Sequence, residues 1–488
     1  MSIDATRVPR LTRKGVPPKP GILHIGPGAF FRAFNAVYTD DAIQSDGGNW
    51  GIMAYSLRSA SAFDMLDPQG GVYTAVTLSP EARTPRVITS ISGVCPPGNP
   101  KEVIGLIETQ DIRIVSLTIT EKGYCYSAQT GGLDLDHPDI QADLSGAPNE
   151  GIRTVPGFLV YALKHLKDLG RQPFTVLSCD NLPANGRVTR AVVEGFAREL
   201  DPALGDWISQ NVSFPSTMVD RITPATTLDD IVHLADKAGY HDPAVVVHEP
   251  FRQWAIEDNF PHGRPAWDKA GAQMVSSVDA HETMKLRCLN GTHSALAYLG
   301  YMAGHETIAD SVAAPGFADF CQYLWASEIV PTVPAPEGQD LNAYTAALLE
   351  RYQNPSIRHR TWQIAMDGSQ KLPQRILATV LDRMAEGHAS PGLSLAIAAW
   401  MRYVGGVDEA GAAIDVRDPN AARLRSLSDS ATDPARKVAA LLTMREVFDP
   451  KLAQSATFQA DVTSAYLQLL HYGAAQTVLH FPDRAASS

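Results

Sequence analysis

Four side chains beyond the middle of the chain have types and spacing that could do chemistry together. Glu282, Lys285, Asn290 and His293 fall within the run Asp279-Ala-His-Glu-Thr-Met-Lys-Leu-Arg-Cys-Leu-Asn-Gly-Thr-His293. On an α-helix advancing about 100° per residue, Glu282, His293 and Asn290 lie about 60°, 80° and 140° from Lys285, inside one arc about 140° wide. A desolvated lysine near other cations can work as a general base. An asparagine amide can donate to a developing alkoxide, and a histidine can orient the same oxygen. Glu282 could relay the proton to solvent. Together these are equipment for oxidising an alcohol without a metal, with hydride passing to a nicotinamide. The rival reading is a solvated polar face on which Asp279 and Glu282 merely cap a helix start. Against it, Gly291 and Thr292 suit an exposed helix interior poorly. Gly291 would make sense where a ligand or another backbone comes close. The chain has no HExxH, no paired Cys/His ligand spacing and no carboxylate-rich loop, so no metal is expected.

Three further clusters bear on the same chemistry. The segment Ile25-Gly26-Pro27-Gly28-Ala29-Phe30 follows an apolar run, and its glycines would let a pyrophosphate approach the backbone at a helix start. Phe31 replaces the third glycine of the usual dinucleotide fingerprint, and Arg32 lies one helical turn on, able to reach a phosphate. At the next strand tip, Ser56-Leu57-Arg58-Ser59 carries no carboxylate for the ribose hydroxyls, so Arg58 by itself leans towards NADP. Cys179-Asp180-Asn181 ends a third apolar run, where open α/β sheets bind ligands; an Asx turn would read the same way. Lys371 and Arg375 flank Pro373, which fits the first position of a helix, so the pair could dock a substrate carboxylate at a helix N-terminus. Arg358 and Arg360 lie just upstream.

The elements that must carry these groups can be read coarsely. Apolar runs at 21–26, 51–56, 112–120, 174–179 and 244–248 read as strands, with helical patterns from Phe30 towards Ile43, over 155–169 and over 188–200. Near-continuous apolar strands alternating with helices predict a doubly wound parallel sheet covered on both faces, a Rossmann-like dinucleotide-binding domain over 1–277. Residues 1–20, rich in Pro, Arg and Lys, read as an arm. After Val275 the strand signal stops. Helical patterns at 284–304, 341–353, 373–386, 392–404, 435–448 and 458–472 predict a mostly α-helical substrate and catalytic domain over 278–488.

Bulk properties agree with a small-molecule enzyme. The chain has 488 residues, enough for two or three domains with a core that excludes water. With 44% apolar and 19% charged residues, its composition is that of a soluble globular protein. Its net charge of -12 gives no general attraction for nucleic acid or anionic membrane. Five scattered cysteines (95, 125, 179, 288 and 321) without a CxxC argue against disulfides and suit a reducing compartment. The first residues lack the apolar core of a signal peptide, and no apolar run approaches bilayer length, so a cytoplasmic protein is expected.

Six segments resemble one family. HIGPGAFFRAF (24–34), SLTITEKGYC (116–125), SCDN (178–181), TMVDRITPAT (217–226), EPFRQWAIEDNF (249–260) and MKLRCLNGTHSALAYLGY (284–301) are similar to the long-chain polyol-specific dehydrogenases, the mannitol dehydrogenase family. Segments 354–375 and 400–419 look more like its branch that interconverts D-fructuronate and D-mannonate than like the mannitol 2-dehydrogenases. The resemblance implies that Lys285 is the general base, Asn181 and Asn290 the oxyanion-binding amides, and His293 the substrate-orienting residue. It also implies proton exchange through Glu282, substrate contact through Lys371, and cofactor contacts through Gly26, Gly28, Phe30 and Arg32, with Asp220 in the family signature. Arg375 and Arg360 join the expected substrate site on branch resemblance and charge. Two histidines that usually follow the glycine turn are replaced by Phe31 and Phe34. The family implies NAD rather than NADP, no zinc, a sugar-acid or polyol substrate, and a monomer or weak homo-oligomer. The alternatives are a mannitol 2-dehydrogenase and, from another class, a non-catalytic dinucleotide-binding sensor or scaffold.

Overall fold

The computed structural model describes residues 8–146 and 151–481, so the first seven residues of the expected arm lie outside it. The chain forms two compact units, Met1–Asp279 and Ala280–Ser488.

The first unit is built on a five-stranded parallel sheet. Its strands are β1 (Pro20–Ile25), β2 (Gly51–Tyr55), β5 (Ile91–Val94), β6 (Ile114–Leu117) and β9 (Thr175–Ser178), in the order β5-β2-β1-β6-β9. Alternation along each strand feeds two cores. Leu23, Ile25, Val115, Leu117 and Val176 face one, which also takes residues of the helices Pro100–Thr109, Val155–Asp168 and Asn185–Leu200. Ile22, Ile114 and Leu177 face the other, with Phe31, Phe34, Val37 and Tyr38. Helices on both faces are what near-continuous apolar strands require. The chain runs outward from β1 to β2 and β5, then returns to place β6 on the other side of β1. The order therefore reverses between β1 and β6, the place where open sheets leave a crevice.

Two expectations need correction here. The fifth apolar run does not join this sheet. Its strand β11 (Val246–His248) pairs instead with β3 (Tyr73–Leu78), which also pairs with β4 (Arg83–Ile88). A short buried run carries no information about which edge it will meet. The helix expected from Phe30 to Ile43 is two helices, Ala29–Ala33 and Asn35–Asp46, broken where Phe34 takes φ −129° and ψ −82°. The coarse reading also missed β10 (Thr217–Asp220), β12 (Gln253–Glu257) and β13 (Gln273–Val275), which form a mixed three-stranded sheet, and the two-residue hairpin β7 (Tyr126–Ser127) and β8 (Gly132–Leu133).

The second unit is helical. Its longest elements are Thr292–Met302, Leu341–Tyr352, Pro391–Val404 and Ala456–Leu479, the last interrupted at Gly473. Three segments among the described residues, Lys285–Gly291, Leu324–Ile329 and Pro373–Leu377, wind as π-helix. Among the described residues no helix is long and apolar enough to cross a membrane.

Candidate active site

In the first unit a cleft of about 720 Å³ opens at the carboxyl ends of β1, β2 and β6, over the reversal of strand order. Ile25, Gly26, Pro27, Gly28, Ala29, Arg32 and Arg58 line it. The two glycines serve different ends. Gly26 has φ +92°, and a Cβ there would sit 2.2 Å from the Thr118 carbonyl oxygen, so the fold itself requires glycine. At Gly28 a Cβ would meet nothing nearer than the Gly26 oxygen at 3.8 Å. The protein leaves that space clear, which fits a ligand's backbone contact rather than internal packing.

The turn is fastened across the reversal point. Thr118 Oγ1 donates to the Gly26 carbonyl at 2.7 Å, and the His24 imidazole lies 2.8 Å from Ser116 Oγ and 3.0 Å from Thr118 Oγ1. That ring stacks on Phe31, with centroids 3.5 Å apart. Burial pushes the His24 pKa down to about 3, so the ring is neutral and bridges hydroxyls instead of presenting charge.

Arg32 is neither solvated nor reaching outward. It is buried, donates to the Pro27 carbonyl at 2.7 Å and braces the turn from beneath. Its Nε has no hydrogen-bond partner among the described residues. Burial lowers its pKa, with Tyr73 and Asp242 acting the other way. Its charge beneath a cleft whose floor is clear backbone suits the pyrophosphate of a dinucleotide. The first helix has only five residues, so this turn offers backbone N–H groups and Arg32 rather than a long helix dipole.

Other cofactor expectations are placed elsewhere. Phe30 stacks on Phe34 at 5.1 Å and does not line the cleft. Asp220 is buried at the end of β10 opposite Gln253, also away from the cleft wall. Arg58 lines the cleft but is engaged: its guanidinium pairs with Asp139 at 2.5 Å and donates to the Arg153 carbonyl at 3.0 Å. Asp139 lines the same cleft. Sequence reasoning missed it because 81 residues separate the partners.

The cleft's other wall is the loop after β6, with Ile119, Thr120, Lys122, Gly123 and Cys125. Asp180, just before Asn181 at the end of β9, holds it. Its carboxylate accepts from the backbone N–H groups of Ile119 and Thr120, both at 2.9 Å, and from the Tyr124 hydroxyl at 2.7 Å. Thr120 sits at φ +66°, ψ +163°, a region nearly confined to glycine and costing about 1–3 kcal/mol. Asn181 itself is exposed.

In the second unit the π-helical turn changes the geometry read from sequence. Hydrogen bonding from i to i+5 widens the turn to about 4.4 residues, so residues five apart differ by about 50° in direction. Lys285 and Asn290 therefore come within about 50° of each other, where an α-helix would separate them by about 140°. His293 follows on the same side, about 30° from Lys285 on ideal geometry. Such a turn disturbs the carbonyl ladder, and buried side chains take up the oxygens. The Cys288 carbonyl accepts from Trp325 Nε1 at 2.9 Å and from Thr292 Oγ1 at 2.5 Å, and the Leu289 carbonyl from the Tyr352 hydroxyl at 2.8 Å. This explains Thr292 inside a buried helix. Gly291 is explained by backbone: a Cβ would lie 2.7 Å from the Arg375 carbonyl oxygen, because the π turn at Pro373–Leu377 packs against the one at Lys285–Gly291.

Lys285, Glu282 and Asn290 are half-buried, and His293 is buried. The His293 ring stacks on Tyr352 at 5.1 Å and meets His359 edge-on at 4.8 Å, while its Nε2 has no hydrogen-bond partner among the described residues. Burial holds the His293 pKa well below the ordinary value, helped by His359, Arg375, Arg351 and Lys371. Burial, with Lys371 nearby, brings His359 to about 4. Two neutral imidazoles thus lie among three basic side chains. Arg351, Tyr352 and His359 were not expected; only their position 58–66 residues beyond His293 hid them.

The helix start assigned to Pro373 is wrong. The helix begins at Gly368, and Pro373 opens the π turn inside it. Lys371 and Arg375 therefore stand within a helical run, not at its N-terminus. Lys371 Nζ donates to the Met366 carbonyl at 2.6 Å, and Arg375 Nη1 lies 3.3 Å from Ser294 Oγ. Arg360 is exposed and pairs with Glu306 at 3.6 Å, so it is not brought to the cluster. Asp279 is likewise not the cap: it lies in the first helical turn, its N–H donates to Ser277 Oγ, and its carboxylate pairs with Arg187 at 2.9 Å. Among the described residues no three His, Cys, Asp or Glu side chains gather as a metal site.

Fold and cleft define a Rossmann-type protein, and its relatives make it an oxidoreductase that works with a nicotinamide cofactor. The description of the mannitol dehydrogenase Rossmann domain matches residues 20–269, and that of the mannitol dehydrogenase C-terminal domain matches 277–470. The chain belongs to the mannitol dehydrogenase family. It is 46% identical to the D-mannonate oxidoreductase of Escherichia coli (strain K12) over 94% of each chain. The mannitol 2-dehydrogenase of Pseudomonas fluorescens, solved as a ternary complex with NAD and D-mannitol, is 36% identical with a TM-score of 0.83 over 98% of both chains. A D-sorbitol dehydrogenase in substrate-free form is 30% identical, with a TM-score of 0.88 over 97% of this chain and 98% of that one.

Proposed function

We propose that the chain is an NAD-dependent oxidoreductase interconverting D-fructuronate and D-mannonate, with Lys285 as general acid and base. The observation that carries this reading is the set Arg351, Lys371 and Arg375 around the neutral His293 and His359. A polyol needs hydrogen bonds only, whereas three cations in a chain of net charge -12 suit a substrate carboxylate. The 46% identity to a D-mannonate oxidoreductase supports the same substrate class.

A bound nicotinamide cofactor would supply the hydride in reduction and accept it in oxidation. In the reductive direction Asn181 and Asn290 donate amide N–H groups to the oxygen as it gains charge, and protonated Lys285 gives it a proton. His293, fixed by its stack on Tyr352, offers one ring nitrogen to a substrate oxygen. Glu282 returns a proton from solvent to Lys285. Oxidation runs the same steps backwards, so its rate should rise with pH as Lys285 loses its proton. Arg58 and Asp139 favour NAD: a guanidinium already paired with a carboxylate is poorly placed to receive a 2′-phosphate.

Nicotinamide absorbance with D-mannonate, D-mannitol, D-arabinitol and D-altronate, using each cofactor, tests the assignment. Turnover of D-mannonate with NAD is expected to dominate. Lys285→Ala should abolish turnover while NADH still binds. Arg375→Ala should raise KM for fructuronate at least about tenfold more than for fructose, the worth of one charge-assisted hydrogen bond. Equal effects on both substrates would favour the mannitol 2-dehydrogenase reading, for which the Pseudomonas fluorescens enzyme is a solved relative. NADH binding without turnover of any substrate would favour the sensor.

A further inference from the structure

The cofactor cleft has one wall whose backbone is held against its own preference. Thr120, at φ +66° and ψ +163°, is a β-branched residue in glycine's territory. Left to itself the loop 119–125 would relax to a commoner conformation and move Ile119 and Thr120, both of which line the cleft. The restraint comes from a single carboxylate. Asp180 Oδ2 accepts from Ile119 N–H and from the Tyr124 hydroxyl, and Oδ1 accepts from Thr120 N–H. Tyr124 is buried and also lies 2.5 Å from Ser178 Oγ, so the clamp is anchored to the last residue of β9.

We propose that Asp180 is a positioning residue that holds Thr120 in its strained conformation and so presets the cleft wall for the dinucleotide. The proposal rests on reading this cleft as the cofactor site. Asp180 adjoins Asn181 in sequence, so one β-strand end carries both the loop restraint and a proposed oxyanion donor. The charge of Asp180 predicts the opposite behaviour on electrostatics alone: removing an anion near the site of an anionic dinucleotide should tighten binding. A positioning role predicts that binding weakens.

The test is a two-by-two set: wild type, Asp180→Ala, Thr120→Gly and the double variant, with NADH affinity read by fluorescence titration and folding by thermal melting. Asp180→Ala should raise the NADH Kd at least about tenfold, the equivalent of 1.4 kcal/mol. Glycine reaches the required backbone conformation without restraint, so in the Thr120→Gly background the same Asp180→Ala change should cost at least about threefold less. A purely structural role would lower both melting temperatures and show no such rescue. Should Asp180→Ala fail to fold, Asp180→Asn, which keeps one acceptor oxygen, carries the same comparison. An Asp180 variant with unchanged or tighter NADH binding, or an equal penalty in both backgrounds, overturns the proposal alone. A wild type that binds no NADH overturns the cofactor reading and the proposal with it.

Discussion

Arg58 shows how a single residue's meaning depends on a partner that the sequence does not reveal. Alone at a strand tip it points to a 2′-phosphate, yet Asp139 occupies it. Asp139→Asn should therefore lower KM for NADPH relative to NADH by about tenfold, the worth of one freed charge-assisted contact. Arg58→Ala in that background should erase the gain, and steady-state kinetics with both cofactors check this. His293 gives a second residue-scale expectation. Its pKa lies well below the ordinary histidine value, through burial first, so it stays neutral across the working range. The pH profile of kcat/KM should then show no limb from this residue near neutrality. His293→Ala should raise substrate KM and leave the NADH Kd unchanged. Glu282, Lys285, Asn290 and His293 were visible in the sequence as a set because a lysine, an amide, an imidazole and a carboxylate seldom fall on one arc. Arg351 and His359 were not visible, since only tertiary packing brings them to His293.

At the scale of elements, buried polar groups decide which segments are pinned. Glu328 is fully buried, and its two oxygens accept from the N–H groups of Gly392 at 2.7 Å and Leu393 at 2.8 Å, at the start of the helix Pro391–Val404. Burial raises its pKa from 4.5 to about 7, against the pull of those N–H groups and Arg383. An acid whose pKa is raised in the folded state binds its proton more tightly there than when unfolded. Its contribution is thus greatest below about pH 4.5 and is lost as pH rises towards about 7. Glu328→Gln should flatten the dependence of melting temperature on pH between those values. It should also cost about 1 kcal/mol, because one helix N–H loses its acceptor. A variant with the wild-type pH slope would place the titration elsewhere. Periodicity found most of the long helices of the second unit, whose apolar faces repeat over several turns. It failed where a turn departs from 3.6 residues, at 285–291, 324–329 and 373–377, and where strands of three or four residues, such as β10 and β13, carry too few positions to set a pattern.

For the whole molecule, the first unit carries its own two apolar cores on either side of the parallel sheet. A ligand bound only to that folded unit stabilises it by mass action. NADH at about a hundred times its Kd should add about 2.7 kcal/mol. Calorimetry should show the transition of the first unit moving upward with NADH. No shift at saturating NADH would mean that the cleft does not hold it. The six motifs found in the sequence span both units, which is why family and fold were legible from it. The register of the minor sheets and the strained loop after β6 were not, because both are fixed by contacts between distant segments.

The wide turn at Lys285–Gly291 has a consequence for how this activity could be lost. It holds one more residue than an α-helix needs over the same rise. Excising a single residue there, Leu286 for instance, would let the segment rewind as ordinary helix and swing the amine and the amide to different sides. The first unit would go on binding dinucleotide while the hydride had nowhere to go. Given the roles proposed for Lys285 and Asn290, one codon's deletion would turn a catalyst into a receptor.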